Sequence, residues 1–94
     1  MGILSNLSVY GKWNFKSKEE FSSDEIAAVK SAEVVPSEYG HSIKFNLVGG
    51  GCSFMPISNT SRAVSVGEQV DLHKCFCITL ERVGSAEIQR IEVQ

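Results

Sequence analysis

Apolar and polar residues alternate along much of the chain, which is the period of a half-buried β-strand. In residues 41–48 every second residue is apolar, namely Ile43, Phe45 and Leu47. Three consecutive glycines then end the alternation, and it resumes over residues 52–57. The two segments therefore predict a β-hairpin whose turn uses the freedom of glycine at positive φ.

The longest apolar alternation occupies residues 70–80, with Lys74 as its single break. Its apolar residues of one parity are Val70, Leu72, Phe76, Ile78 and Leu80. A Gly-Ser pair further along predicts a turn, so residues 86–93 are predicted to return as an antiparallel strand. The apolar parity of this last segment changes midway, which predicts a bulge or a strand end near Gln89 and Arg90.

The segment before the first hairpin carries mixed signals. Residues 22–25 fit the S-x-x-E capping box, which predicts a short helical turn at 22–26. Pro36 disfavours a helical conformation in the residue before it, so the chain is predicted to be extended over residues 27–35. A helix over residues 23–33 is the alternative reading of the same segment.

Length and composition indicate one domain over residues 1–94, because 94 residues with 43% hydrophobic content suffice for a single core. The net charge of -2 argues against tight, non-specific duplex binding but is compatible with a local basic groove. The chain shows neither a signal-peptide pattern nor an apolar run of about 20 residues, so no membrane association is predicted. Three cysteines form a poor disulfide framework and predict reduced thiols and a cytoplasmic location.

His73, Cys75 and Cys77 form an H-x-C-x-C pattern that has the ligand types of zinc. On a strand the outer two residues would lie roughly 13 Å apart at the backbone, too far to share one tetrahedral ion. These thiols are therefore predicted to pack in the interior, with no metal and no cofactor. His41 and His73 are the two histidines, and neither lies in a catalytic signature, so no enzymatic activity is predicted.

The stretch "YGKWNFKSK" at residues 10–18 is rich in aromatic residues and lysines. If it is extended, Trp13 and Phe15 share one side and are predicted to belong to the core. The opposite side carries the candidate contacts Tyr10, Lys12 and Lys16. A tyrosine can stack on a base and lysines can meet phosphates, so these residues are candidates for nucleic-acid binding. Residues 1–20 are predicted to form either an additional strand or an N-terminal arm.

The succession of strands over residues 26–93 resembles the OB-fold, a partly open barrel common among proteins that bind single-stranded nucleic acids. The resemblance rests on the strand spacing and on "VGEQVDL", which is similar to the entry into the fourth strand of many such barrels. It implies an all-β fold, a small five- to six-stranded antiparallel barrel with at most one short helix.

The resemblance also implies a binding surface on the strands 41–48 and 52–57 and their adjoining loops. By position, the residues of that surface are Tyr39, Lys44, Asn46, Phe54 and Arg62, with Lys74 from the neighbouring strand. The predicted function is binding of single-stranded DNA or RNA by aromatic stacking and a shallow basic groove, by one copy or by a homo-oligomer. Such a domain would suit the replication or packaging of a phage or mobile element. The alternative is a non-enzymatic protein-interaction or structural module that uses a β edge or an apolar patch.

Overall fold

A computed structural model describes residues 13–38, 40–82 and 87–94, with residues 13–15 and 82 described by their backbone alone. These residues form a mostly β structure with six strands and one short helix. The elements are β1 (Trp13–Glu20), α1 (Ser23–Ala27), β2 (Val29–Ser37), β3 (Gly40–Leu47), β4 (Cys52–Pro56), a 3₁₀ turn (Leu72–Lys74), β5 (Cys75–Arg82) and β6 (Glu87–Val93). The predicted all-β class with one short helix is confirmed.

The strands lie in two antiparallel sheets, with the order β1-β5-β6 in one and β2-β3-β4 in the other. Two isolated bridges add to this pairing: Ile57, just after β4, pairs in parallel with Ile91 of β6, and Gln69, in the segment before β5, pairs in antiparallel fashion with Glu33 of β2. Within the described residues the hydrogen-bonded strands thus form two sheets rather than one continuous barrel. β1 pairs along β5, so residues 13–20 form an additional strand, while residues 1–12 lie outside the described part.

The helix α1 begins at a capping box, as its sequence predicts. The Glu25 backbone N–H donates to Ser22 Oγ at 3.1 Å, and the Ser22 backbone N–H donates to Glu25 Oε1 at 2.9 Å. The bond from the Ser22 backbone stabilises the carboxylate and lowers the pKa of Glu25. The helix ends at Ala27 and β2 starts at Val29, so the alternative helix over residues 23–33 is wrong.

The core is formed where the inward faces of the two sheets meet. Alternation along β2 and β3 turns one residue in two toward the interior, as expected for a sheet with one solvated face. The buried residues of this cluster are Ala32, Val34, Ile43, Phe45, Leu72, Cys75, Ile91 and Val93. Phe21 precedes α1 and Ile26 lies within it. Both side chains pack against this cluster and connect the helix to the core.

The predicted single strand over residues 70–80 is wrong in its first half. The Asp71 carboxylate accepts from the His73 backbone N–H at 3.0 Å and caps a 3₁₀ turn, so β5 starts only at Cys75. Lys74, the break in the apolar parity, belongs to that turn and is exposed. A local side-chain hydrogen bond thus competes successfully with strand formation.

The remaining apolar run of β5 is buried on both faces rather than on one. Cys75 belongs to the core between the sheets, whereas Ile78 and Leu80, which have the opposite parity, are at most 1% exposed outside that cluster. A nearly continuous apolar run is the sequence pattern of such a strand, so one-sided alternation does not apply here.

The bulge predicted near Gln89 and Arg90 is also wrong. The pairing of β6 with β5 runs without a register shift from Val93 opposite Cys75 to Glu87 opposite Glu81. The change in apolar parity has another cause, because both faces of this sheet carry apolar residues. The observed register shifts lie in β1, between residues 15 and 17, and in β2, between residues 29 and 31.

Ile43 lies at the centre of the core and has no exposed surface. We expect Ile43→Ala to lower the free energy of unfolding by about 2–5 kcal/mol, because it removes buried methyl groups and leaves a cavity. Chemical denaturation monitored by circular dichroism measures this change. The control is Val48→Ala, a truncation at a 65% exposed residue, which should change stability by about 0.5 kcal/mol or less. Equal effects of the two variants would contradict the assignment of Ile43 to the core.

Candidate nucleic-acid interface

The outward face of the β2-β3-β4 sheet carries an exposed aromatic residue beside a lysine. In this sheet Lys44 pairs with Glu33 on one side and with Phe54 on the other, so the three residues form one row across the strands. Their neighbour Phe45 is buried in the core, so this row faces outward. Phe54 is 58% exposed, and its ring is therefore open to solvent on the strand next to Lys44.

The next row along the same face contains Ser31, Asn46 and Cys52. Asn46 Nδ2 donates to Ser31 Oγ at 3.0 Å, which holds the amide in a defined orientation. Lys44, Asn46 and Phe54, called the outer patch below, are three of the residues singled out in the sequence. The structure places them side by side, because the hairpin register aligns residue 44 with 54 and residue 46 with 52.

The outer patch is weakly charged. Glu33 lies directly opposite Lys44, and side chains in such cross-strand pairs stand about 5 Å apart at Cβ. The carboxylate therefore reduces the positive potential around the Lys44 ammonium. An aromatic surface with one partly compensated cation is better suited to stacking than to strong electrostatic attraction.

Lys16 and Lys74 do not join the outer patch. Lys16 lies on β1, in the other sheet, where it forms an ion pair with Glu87 that raises the pKa of the lysine. Lys74 lies in the 3₁₀ turn before β5, whose partners are β1 and β6. The expectation that Lys74 comes from a strand next to β3 and β4 is therefore wrong, because β6 lies between β5 and β4.

Lys18, another lysine of β1, also forms an ion pair within the protein. Its Nζ lies 2.8 Å from Glu92 Oε2 and 4.5 Å from the centroid of the Phe76 ring. The ammonium is thus engaged both by a carboxylate and by the negative face of an aromatic ring.

Tyr10, Lys12 and Tyr39 lie outside the described residues, and their roles stay predictions. The same holds for the core placement of the Trp13 and Phe15 side chains.

Arg62 is held by contacts within the protein. Its Nε donates to the Gln94 carbonyl at 3.2 Å, its Nη1 donates to the Ala63 carbonyl at 3.0 Å, and Nη2 forms an ion pair with Glu68. The hydrogen bond between the two side chains raises the pKa of Arg62 and lowers that of Glu68. These contacts show a structural use of a residue predicted to bind nucleic acid.

The polar loop that contains Arg62 runs beside β6 and is fastened to it. The Ser58 backbone N–H donates to the Ile91 carbonyl at 2.8 Å, and the Val93 backbone N–H donates to Ser61 Oγ at 2.9 Å. Thr60 Oγ1 also donates to Glu92 Oε1 at 3.2 Å. Backbone and side-chain groups of this loop are therefore hydrogen-bonded along β6, and the loop borders the edge of that strand.

A cavity of about 540 Å³ lies at the end of the sheet bordered by this loop. Its lining includes His41, Ser42, Pro56, Arg62 and Arg90, with further residues from the β2–β3 turn and from the loop. Ser42 and Pro56 pair across β3 and β4 one row away from Lys44 and Phe54. Successive rows of one face are roughly 7 Å apart, so the cavity adjoins the outer patch.

Arg90 and His41 are cavity residues that the sequence does not reveal as partners. Arg90 reaches from β6 to the end of β4, where its Nη1 donates to the Ile57 carbonyl at 3.5 Å. The two residues are 49 positions apart and come from different sheets. Neither one lies in a motif, so no local signal predicts that they line one cavity.

Of the two thiols of the H-x-C-x-C pattern, that of Cys75 is buried and that of Cys77 is partly exposed. Cys75 Sγ donates to the Asp71 carbonyl at 3.3 Å, and burial, followed by the Asp71 charge, raises the pKa of Cys75 to about 11. Burial also raises the pKa of Cys77, whereas His73 is exposed in the 3₁₀ turn. The described residues contain no group of three or more His, Cys, Asp or Glu side chains arranged to hold a metal ion.

Comparisons with models of protein families, with curated proteins and with solved structures found no match for the chain. Among the residues that the structure describes, no helix is long and apolar enough to cross a membrane. The assignment of a function therefore rests on the geometry of the outer patch and the adjoining cavity.

The three free cysteines should differ in reactivity toward a thiol reagent. We expect Cys52, which is exposed, to react first, Cys77 more slowly and Cys75 last, because burial and a raised pKa keep Cys75 a protonated thiol. Reaction with a chromogenic disulfide at pH 8 measures the three phases. Cys52→Ser should remove the fast phase alone, and a fast phase that survives in this variant would contradict the assigned burial.

Proposed function

We propose that the chain binds single-stranded DNA or RNA on the outer patch, with a base stacked on Phe54 and a phosphate near Lys44. The observation that carries this proposal is the 58% exposed Phe54 ring in one row with Lys44. Large aromatic side chains of small domains usually belong to the core, so an open ring on a regular strand suggests a ligand. A phenyl ring can stack on any base, which accounts for binding without sequence preference.

The size of the outer patch implies modest affinity for one protein copy. Stacking of one base on an aromatic ring contributes about 1–3 kcal/mol. The Lys44 ammonium adds an electrostatic contribution that Glu33, its cross-strand neighbour, reduces. Tight binding then requires several copies along one strand, so we propose a homo-oligomeric or cooperative complex.

The arrangement of the strands supports an OB-like barrel, which we propose as the fold family. From β2 the contacts pass through β3 to β4, and the Ile57–Ile91 bridge continues them to β6 and β5. The segment before β5 returns to β2 through the Glu33–Gln69 bridge. This circuit is compatible with a five-stranded, partly open barrel, to which β1 adds a sixth strand. In such a barrel, β3 and β4 contribute the binding face.

Base stacking and phosphate contacts require no catalytic group, and we propose a non-enzymatic role. The three free cysteines support a reducing compartment such as the cytoplasm.

The second candidate function is docking of a protein partner through a β edge or an apolar patch. Phe54 and the 65% exposed Val48 favour it, since both are apolar residues near the β3–β4 hairpin.

Removal of the Phe54 ring tests the stacking contact. We expect Phe54→Ala to weaken binding of a fluorescently labelled single-stranded oligonucleotide by about 5- to 150-fold, the equivalent of one stacked base. Fluorescence anisotropy measures this affinity. The matched control is Val66→Ala, a truncation at a 60% exposed apolar residue outside the outer patch, which should leave binding unchanged. Equal affinities of Phe54→Ala and the wild-type protein would exclude the stacking contact.

Neutralisation of Lys44 tests the phosphate contact and separates the two candidate functions. We expect Lys44→Gln to reduce the slope of log affinity against log salt by about 0.7, the value for one phosphate on a single strand. Titrations from low to moderate salt measure the slope. The control is Lys30→Gln, which removes an exposed lysine from β2 away from this row. Wild-type protein that does not bind oligonucleotides at low salt would favour the protein-docking function.

A further inference from the structure

An arginine, Arg90, lines the cavity of about 540 Å³. Among the described residues, ion pairs engage Lys16, Lys18 and Arg62 with carboxylates, but none engages Arg90. The described contact of the Arg90 guanidinium is a single 3.5 Å hydrogen bond to the Ile57 carbonyl. The other N–H donors of Arg90 have no partner among the described residues, so they can serve a ligand.

The other polar groups of the cavity also suit an anion. His41, which is half-buried, and Ser42, which is buried, line the cavity from β3 and carry groups that can donate hydrogen bonds. Glu38 also lines the cavity, but it is exposed, so water screens its charge. An arginine fork with additional donors fits the tetrahedral oxygens of a phosphate group.

The position of the cavity relates it to the outer patch. The exposed Pro56 and its partner Ser42, which is buried, line it one row along from Lys44 and Phe54, a distance of roughly 7 Å. A strand with one base on Phe54 can therefore extend directly into the cavity. The volume of about 540 Å³ lies within the usual range for small-ligand sites and can admit one nucleotide unit.

We propose that this cavity binds a phosphate group of the nucleic-acid strand, with Arg90 as the main contact and His41 as a second donor. This inference rests on the function proposed above and extends its surface from β3 and β4 to β6. It also gives the strand a path across the sheet, from the ring of Phe54 toward the Arg90 guanidinium.

The test compares Arg90→Gln, Arg90→Lys and the wild-type protein in oligonucleotide titrations over a range of salt concentrations. We expect Arg90→Gln to reduce the slope of log affinity against log salt by about 0.7 and to weaken binding about fivefold at 0.1 M salt. Arg90→Lys retains the charge and should retain the wild-type slope. Lys30→Gln is the control for loss of a positive charge outside the cavity.

The outcomes separate this inference from the function on which it rests. No binding by the wild-type protein would overturn both. Wild-type binding that Phe54→Ala weakens, together with an unchanged slope in Arg90→Gln, would overturn the cavity assignment alone. Equal losses in Arg90→Gln and Arg90→Lys, with lower thermal stability in both, would assign Arg90 a purely structural role and overturn the inference. The side chains of glutamine and lysine can both donate a hydrogen bond to the Ile57 carbonyl, as Arg90 does, so both variants are expected to fold.

Discussion

The register of β3 between β2 and β4 is the constraint on which the core and the candidate site both depend. It places Ile43 and Phe45 in the interior and Lys44 and Asn46 on the outward face. Because side chains alternate along a strand, a slip of one residue would exchange the two sets. Burial of the apolar set therefore stabilises the register, and the same register aligns Lys44 with Phe54.

The attachment of β6 to the end of β4 brings Arg90 to the cavity beside the outer patch. The Ile57–Ile91 bridge and the hydrogen bond from Ser58 to the Ile91 carbonyl join the two sheets at this point. The loop after β4 then follows β6, since the Ser61 hydroxyl accepts from the Val93 backbone. As a result Arg90, which belongs to one sheet, lines a cavity whose other side belongs to the second sheet.

Two of the positive charges predicted to bind nucleic acid, those of Lys16 and Arg62, are used within the fold, and this changes the nature of the candidate interface. Lys16 and Arg62 form ion pairs, and Lys18 binds both a carboxylate and an aromatic ring. Exposed ion pairs contribute little to stability, but they neutralise charge that phosphates would otherwise meet. The surface that remains combines one open aromatic ring, one partly compensated lysine and the arginine in the cavity. It is suited to stacking with a few phosphate contacts rather than to a broad basic groove.

The amino-acid sequence by itself determined the local elements in which one signal dominates. Alternation placed the β3–β4 hairpin, and the capping box placed α1, because both patterns act between residues close in the chain. The resemblance to the OB-fold also singled out Lys44, Asn46 and Phe54 for one surface, and the register of the β3–β4 hairpin places them side by side. Tertiary structure decided the rest: the 3₁₀ turn at Leu72–Lys74 and the burial of β5 on both faces. It also decided which cations are paired and that Arg90 and His41 line one cavity, because these features depend on how two sheets pack, and no local pattern encodes that packing.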